Sequence, residues 1–318
     1  FEVEEIIDLG RETDKVVSAK IVSMDKHPDA DKLNICMCDA GPHGVLQIVT
    51  AATNVHPGDV VALALDGASL PGGTKIRSGK LRGAESQGMM CGGSELGVTD
   101  AVYAGASVDG VLILHEEDRE PLGRDVKEVL GLNEILLDVS LTANRPDCQS
   151  IFGLAREIAA ILKKPLRTPA TDYVCGSTGT SDKVKVTVRS PELCRRYMAS
   201  FVEDVKIGES PAWIRERLTL CGLRPINTIV DITNFILLEL GNPMHAFDYT
   251  DISGGEIVVR NAAPGETIVT LDERENKLTE EMLVICDERR PLAVAGIMGG
   301  LNSGIRPETK TVVFETAK

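Results

Sequence analysis

Apolar residues between positions 15 and 115 come only in short bursts, which reads as a stretch of strands. The runs VVSAKIVSM, LNICMCDA, VLQIVTAA, DVVALAL and GVLIL are rich in Val, Ile and Leu, and Gly, Pro, Asn and Asp separate them. β-branched runs with such punctuation read as strands joined by turns. About five strands in a segment of this size suit a small barrel of the oligonucleotide-binding (OB) type, which closes its edges on itself; a sandwich is the alternative.

The pattern changes after residue 116. In SIFGLAREIAAILKK, Ile151, Leu154, Ile158 and Leu162 share one stripe, with Arg156, Glu157 and Lys164 off it. That period predicts an amphipathic helix, capped by Asp147 or Ser150 and stopped before Pro165. The acidic first ten residues are expected to pack here, so the β module is inserted in a small α/β layer formed by residues 1–14 and 116–170. Residues 171–182, TDYVCGSTGTSD, are small and polar and read as a linker.

A further α/β domain is expected over residues 183–318. It opens on the alternating strand KVKVTV. Ser210 and Pro211 are placed as N-cap and N1 of a helix that Gly222 closes. NTIVDITNFILLELG predicts a largely buried helix ending at Gly241, and EIVVR, TIVTL, MLVIC, LAVAG and TVVFE predict strands. Helices on one side of a mixed sheet is the economical layering. The fold class read from this order is α+β and multidomain, and 318 residues suffice for more than one core.

A net charge of −14 argues against wide polyanion binding, because phosphate contacts need Lys and Arg. One local exception is TKIRSGKLRG, Thr74 to Gly83. Read as strand, it places Lys75 and Arg77 on one face and pairs Lys80 with Arg82 on another. Such cations can straddle a phosphate backbone, or simply guard a solvated edge strand. Tyr103 is the one aromatic residue of the 15–115 module, which disfavours base stacking and leaves shape and phosphate contacts to a folded RNA. The eight Cys show no CxxC pair and no zinc spacing, so reduced thiols in a cytoplasm are expected. No apolar run reaches the roughly 18 residues of a membrane span, and no membrane partner is expected. The acidic start, FEVEEIIDLG, reads as internal to a longer protein.

Three places invite chemistry. LELGNPMHAFD, Leu238 to Asp248, presents a lone His245 on an ordered turn. A lone loop His is more often structural, and no GxSxG or HExxH accompanies it. GIMGGLNSG, Gly296 to Gly304, permits close backbone approach to a ligand but lacks the GK[ST] of a phosphate loop; a strand bulge explains it equally. Glu315 ends the apolar strand TVVFE, and it either leaves for solvent or is buried with a donor, such as a substrate hydroxyl.

In order along the chain, these segments resemble a known family. HPDADKL (His27 to Leu33), IVTAATNV (Ile48 to Val55) and LPGGTKIRSGKLRGAESQGMMCGGSELG (Leu70 to Gly97) resemble the tRNA-binding module found on several synthetases. SLTANRPDCQSIFGLAREIA, CGLRPINTIVDITNFILLELGNPMHAFD and AGIMGGLNSGIRPETKTVVFE follow. Together they look like the β subunit of bacterial phenylalanyl-tRNA synthetase, over nearly all of the chain.

The resemblance implies an N-terminal portion of such a subunit. It would carry an OB tRNA-binding domain and a B3/B4-like editing domain cut short at its C-terminal end. It implies a cytoplasmic enzyme that joins Phe to tRNA(Phe) with ATP and Mg2+, with the synthetic site on a partner α subunit of an α2β2 heterotetramer. No cofactor and no metal are expected in this portion. It also implies hydrolysis of Tyr mischarged onto tRNA(Phe). His245 matches the histidine of the family's PMHAFD motif, and Glu315 the carboxylate that recognises the tyrosyl hydroxyl. Thr233 and Asn234 match a TN pair lining the site, Gly296 and Gly299 its glycine wall, and Arg224 a basic residue near the tRNA end. Asn242 departs from the Gln of many relatives. Lys75, Arg77, Lys80 and Arg82 are the candidate tRNA contacts.

Physics makes this sorting feasible. Tyr and Phe differ by one hydroxyl, and a pocket that bonds it leaves a polar group unpaired when Phe enters. An unpaired buried carboxylate costs about 2–3 kcal/mol, roughly 100-fold in discrimination. An aminoacyl ester is already activated, so a positioned water and a few donors suffice. His245 is therefore expected to orient the water or the substrate end, and not to be a nucleophile. The alternative is a non-catalytic RNA-binding and assembly module; a metal-dependent phosphodiesterase is disfavoured for want of a ligand cluster.

Overall fold

In the computed structural model, which describes residues 1–100 and 102–318, the chain divides into two units, Phe1–Ser140 and Leu141–Lys318. In the first, β1 (Glu2–Asp8) precedes a sheet of β2 (Asp14–Lys26), β3 (Asn34–Asp39), β4 (Val45–Thr50), β5 (Val60–Leu70) and β6 (Thr74–Lys75) in the order β4-β3-β2-β5-β6. β7 (Gly79–Leu81) and β8 (Ala84–Ser86) form a hairpin, and β9 (Gly88–Met90) pairs with β5. The Gln87 amide, between β8 and β9, donates to the Gln47 carbonyl at 2.8 Å. The hydrogen-bonded circuit β4-β3-β2-β5-β9 therefore returns to β4.

The near-continuous apolar runs of β2 and β5 are buried on both faces. Val16, Val60, Ala62 and Ala64 join one core, and Val17, Ala19, Val61 and Leu63 join the other, with Cys36, Cys38 and Ile48. Both ladders of β2 carry a bulge, the device by which a strand bends to serve two neighbours. The run GVLIL differs from expectation. It forms no ladder: Ile113 makes an isolated bridge with Val61, while Leu112 and Leu114 donate to the Cys91 and Val60 carbonyls. α1 (Val126–Val129) follows, and β10 (Ile135–Ser140) pairs antiparallel with β1, Glu2 opposite Ser140 and Asp8 opposite Ile135.

The second unit begins before α2 (Ile151–Leu162), so that helix groups with the downstream residues and not with 116–140. Ser150 caps it, accepting from the Gly153 amide at 3.0 Å, and Lys163 ends it in a left-handed conformation. Its expected core stripe is turned outward: Ile151, Ile158 and Leu162 are all more than half exposed. Gly153 alone is buried in the helix, because the chain packs there against backbone; a Cβ would lie 2.0 Å from the Asp147 carbonyl oxygen.

After α2 the chain forms two sheets packed face to face, with helices on one outer side. β12 (Tyr197–Val202), β13 (His245–Asp248) and β20 (Val312–Ala317) form the first, with β20 central. β11 (Lys185–Val188), β14 (Glu256–Asn261), β17 (Leu283–Cys286), β18 (Pro291–Val294) and β19 (Met298–Gly299) form the second, in that order. β15 (Thr267–Val269) and β16 (Glu275–Lys277) are a separate hairpin. Phe247 and Val313 of the first sheet meet Ile257, Val259, Ile285 and Leu292 of the second.

α3 (Ala212–Leu220) and α4 (Thr228–Leu240) precede β13. Ile229 of α4 packs on the opposite face of the three-stranded sheet, against Ala246 and Val312. The Asn227 side chain caps α4, accepting from the Ile229 and Val230 amides, and Gly241 ends it at φ +73°. At α3 the capping differs from expectation. Pro211 is itself the N-cap, and Ser210 instead donates its hydroxyl to the buried Asp231 carboxylate at 2.5 Å.

Candidate functional site

Alternation along three strands builds the site. His245 on β13 lies directly opposite Glu315 on β20, and Ala199 on β12 lies opposite Glu315 from the other side. Tyr197, two residues before Ala199, shares that face. The small Ala199 side chain leaves the diagonal open, and the Tyr197 hydroxyl crosses it to donate to Glu315 Oε2. Below this layer Phe247 and Val313 enter the core; above it the two sheets part around a cavity of about 460 Å³.

The facing wall is Val259, Leu283, Ile285 and Ala293, and the lip is Ala295–Gly299. Leu193, Ile297 and Met298 line the cavity and are also exposed at 52%, 77% and 39%, giving it an apolar mouth. Gly299 has a specific reason to be glycine. A Cβ there would lie 2.6 Å from the His245 Cε1 and 2.9 Å from its Nε2, so the imidazole rests on bare backbone. Phe247 holds the ring from another side, edge to face at 4.6 Å.

The electrostatics are those of a site partly withdrawn from water. Burial pushes the Glu315 carboxyl up to about 7, and the Tyr197 hydrogen bond partly offsets that rise. The Tyr197 phenol is raised well above its ordinary range by burial and by the carboxylate. Burial lowers the His245 pKa, which favours the neutral ring, and its Nε2 is buried without a hydrogen-bond partner. An imidazole biased toward its neutral form and a carboxyl held well above its ordinary pKa thus share one apolar pocket, a combination suited to binding a hydroxyl and holding a water.

Of the sequence candidates, His245, Glu315, Gly296 and Gly299 line this cavity. Thr233, Asn234 and Arg224 do not. Thr233 and Asn234 lie on α4, which covers the other face of the sheet; Thr233 is buried with its hydroxyl on the Val230 carbonyl at 2.7 Å. Arg224 is exposed on the α3–α4 connection. Asn242, exposed just before β13, donates to the Thr316 hydroxyl on β20. Tyr197 and Cys194 carry no signal of their own in the sequence, because their place depends on the β12–β20 register across more than a hundred residues. Elsewhere Asp147, Cys148 and Glu157 approach within 4.8 Å, but Arg145 forks across Asp147 and reaches Glu157 at 2.6 Å, so a cation already fills that cluster.

In the first unit all four candidate cations are exposed. Lys75 donates to the Ser69 hydroxyl. Arg82 and Gly83 both have positive φ, +49° and +93°, at the tip of the β7–β8 hairpin. A two-residue hairpin turn of this twist demands that conformation, so Arg82 is a tip residue and does not share a strand face with Lys80. His27 anchors the hairpin: its Nδ1 accepts from the Asp29 amide at 3.1 Å, and its Nε2 lies 3.2 Å from the Leu81 carbonyl as donor. Tyr103 is buried and stacked on His115 at 4.2 Å, so it offers no platform to a base.

Comparison with known proteins fits this division. A family model described as "Putative tRNA binding domain" matches residues 6–117, and one described as "B3/4 domain" matches residues 193–318. The phenylalanine–tRNA ligase β subunit of Clostridium acetobutylicum is 48% identical over 99% of this chain, and that of Moorella thermoacetica is 48% identical over 99%. The chain spans 39% of the length of each. Among solved structures, an N-terminal fragment of the phenylalanyl-tRNA synthetase β subunit from Pyrococcus horikoshii matches at 18% identity and a TM-score of 0.36, covering 57% of this chain and 55% of that one. Both domain types are present in order, and along nearly its whole length the chain is similar to phenylalanine–tRNA ligase β subunits.

Proposed function

We propose that the first unit binds tRNA(Phe) and that the second hydrolyses tyrosine wrongly esterified to it. Both would act within an enzyme that joins phenylalanine to tRNA(Phe) using ATP and Mg2+ at a site on a partner α subunit. The first unit is read as an OB barrel that engages a folded RNA by phosphate and shape, with Lys75, Arg77, Lys80 and Arg82 at the interface. The second is read as the editing domain.

One observation carries the editing reading: a half-buried carboxylate and an unpartnered imidazole nitrogen stand opposite each other in one apolar cavity. The tyrosyl ring enters between Val259, Ile285 and the lip, and its hydroxyl donates to Glu315. Phenylalanine offers no such donor and leaves the second carboxylate oxygen without one, which costs it roughly 100-fold. His245 Nε2 orients a water against the ester carbonyl. Water oxygen bonds to the carbonyl carbon, the ester carbon–oxygen bond breaks, and the ribose oxygen takes the proton. No protein nucleophile is required, since the ester is already activated. Thr233, Asn234 and Arg224 enter this reading through the family resemblance alone.

The test is single-turnover hydrolysis of Tyr-tRNA(Phe) and Phe-tRNA(Phe) by the complete two-subunit enzyme. Glu315→Ala should let Tyr-tRNA accumulate while Phe charging is spared. Normal Tyr clearance by Glu315→Ala and by His245→Ala would leave this unit a scaffold.

A further inference from the structure

The carboxylate meant for an incoming phenol already holds one. Tyr197 occupies Oε2 of Glu315 from the neighbouring strand, and the donor is part of the chain. The apolar side chains around it, Val259, Leu283, Ile285 and Ala293, offer that oxygen no alternative donor. We propose that Tyr197 is a specificity-determining positioning residue of this cavity: by donating to Oε2 it fixes the carboxylate's orientation and leaves Oε1 as the oxygen that receives a further phenolic hydroxyl. The inference rests on the editing reading and goes beyond it, because it assigns the discrimination to a phenol–carboxylate pair and not to Glu315 alone.

The geometry gives this arrangement its selectivity. A carboxylate accepts through two oxygens, and a free one in a pocket this size could be met by water from either side. With Oε2 taken, the remaining position is directional. The hydrogen bond from Tyr197 also favours the charged form of Glu315, the stronger acceptor, against the pull of burial. The other titratable groups lining the cavity are Cys194, on the segment before β12, His245 on β13 and Lys318; the facing wall of the five-stranded sheet contributes no titratable group.

Tyr197→Phe tests this in the complete enzyme, since it removes one oxygen and keeps the ring's packing. kcat/KM for hydrolysis of Tyr-tRNA(Phe) and Phe-tRNA(Phe) is measured separately from pH 6 to 8.5, with Glu315→Ala alongside and circular-dichroism melts to confirm folding. At pH 7 the Tyr/Phe ratio should fall about tenfold, the size expected for losing a hydrogen bond to a charged group. The pH profile of the ratio should move upward, with discrimination recovering as Glu315 ionises at higher pH. An unchanged ratio with an unchanged profile would overturn the role of Tyr197. If Glu315→Ala abolishes discrimination while Tyr197→Phe keeps it, this inference alone fails. If neither variant changes a measurable Tyr preference, the editing reading of Glu315 fails with it.

Discussion

His245 and Glu315 are directly opposed residues of the β13–β20 ladder, on the face of the sheet that looks into the cavity. Both are half-buried, and burial moves their pKa values in opposite directions: the carboxyl up to about 7, the imidazole down from its ordinary 6.5. Each shift favours the neutral form, so the pocket is least stable where it carries charge.

A pH dependence of stability follows, with a definite sign. Folded Glu315 holds its proton up to about pH 7, whereas the unfolded carboxyl releases it near 4.5. Between these values the folded state binds more protons, so stability falls as pH rises through the window. The loss is complete above about pH 7 and amounts to at most about 3 kcal/mol. His245 acts the other way, weakening the fold as pH drops below 6.5, so wild type alone shows a blunted profile. Glu315→Gln removes only the first contribution. Urea unfolding followed by Trp213, the single Trp, should show the variant gaining on wild type from pH 5 to pH 8. An equal difference at both pH values would place the Glu315 pKa at its ordinary position.

Gly299 supplies a steric prediction. The His245 ring lies where an alanine methyl would go, with Phe247 against its other side, so Gly299→Ala must displace the imidazole. A displacement near 1 Å costs about 100-fold in a reaction that depends on placing a water. Overpacking should also cost about 1–3 kcal/mol of stability. Tyr-tRNA(Phe) hydrolysis by the complete enzyme and a Trp213 melt of this 318-residue chain report the two effects separately. Full hydrolysis in a folded Gly299→Ala protein would remove His245 from the reaction.

Much of this is legible in the sequence, for reasons that can be named. The helix at 228–240 carries its own signals, an Asn227 cap and a Gly241 stop, and the structure uses both. His245, Gly299 and Glu315 stand out as oddities: a lone His, a glycine excess, a carboxylate closing an apolar strand. Tyr197 does not, because RYMASFV alternates like any half-buried strand, and its partner lies across the β12–β20 register. The outward face of α2 escapes a sequence reading because amphipathic period shows that a stripe exists and not that this stretch of chain covers it. The role of Arg82 as a turn residue is hidden because its left-handed conformation normally advertises itself through Asn or Gly.

The hairpin at Gly79–Ser86 can be tested through its charges and its anchor separately. Reversing Lys75, Arg77, Lys80 and Arg82 removes cations, so both tRNA affinity and its dependence on salt should fall, by about 0.7–0.9 in slope for each phosphate no longer neutralised. His27→Ala keeps every charge but releases the Leu81 carbonyl and the Asp29 amide, leaving the hairpin tip less ordered before binding. Affinity should then drop several-fold through the cost of ordering about one or two side chains, with the salt slope kept. Titration of tRNA(Phe) at a series of salt concentrations separates the two outcomes. A charge-reversed protein with an unchanged slope would take the hairpin out of the interface, and an unchanged affinity in His27→Ala would show that the turn at Arg82–Gly83 holds itself.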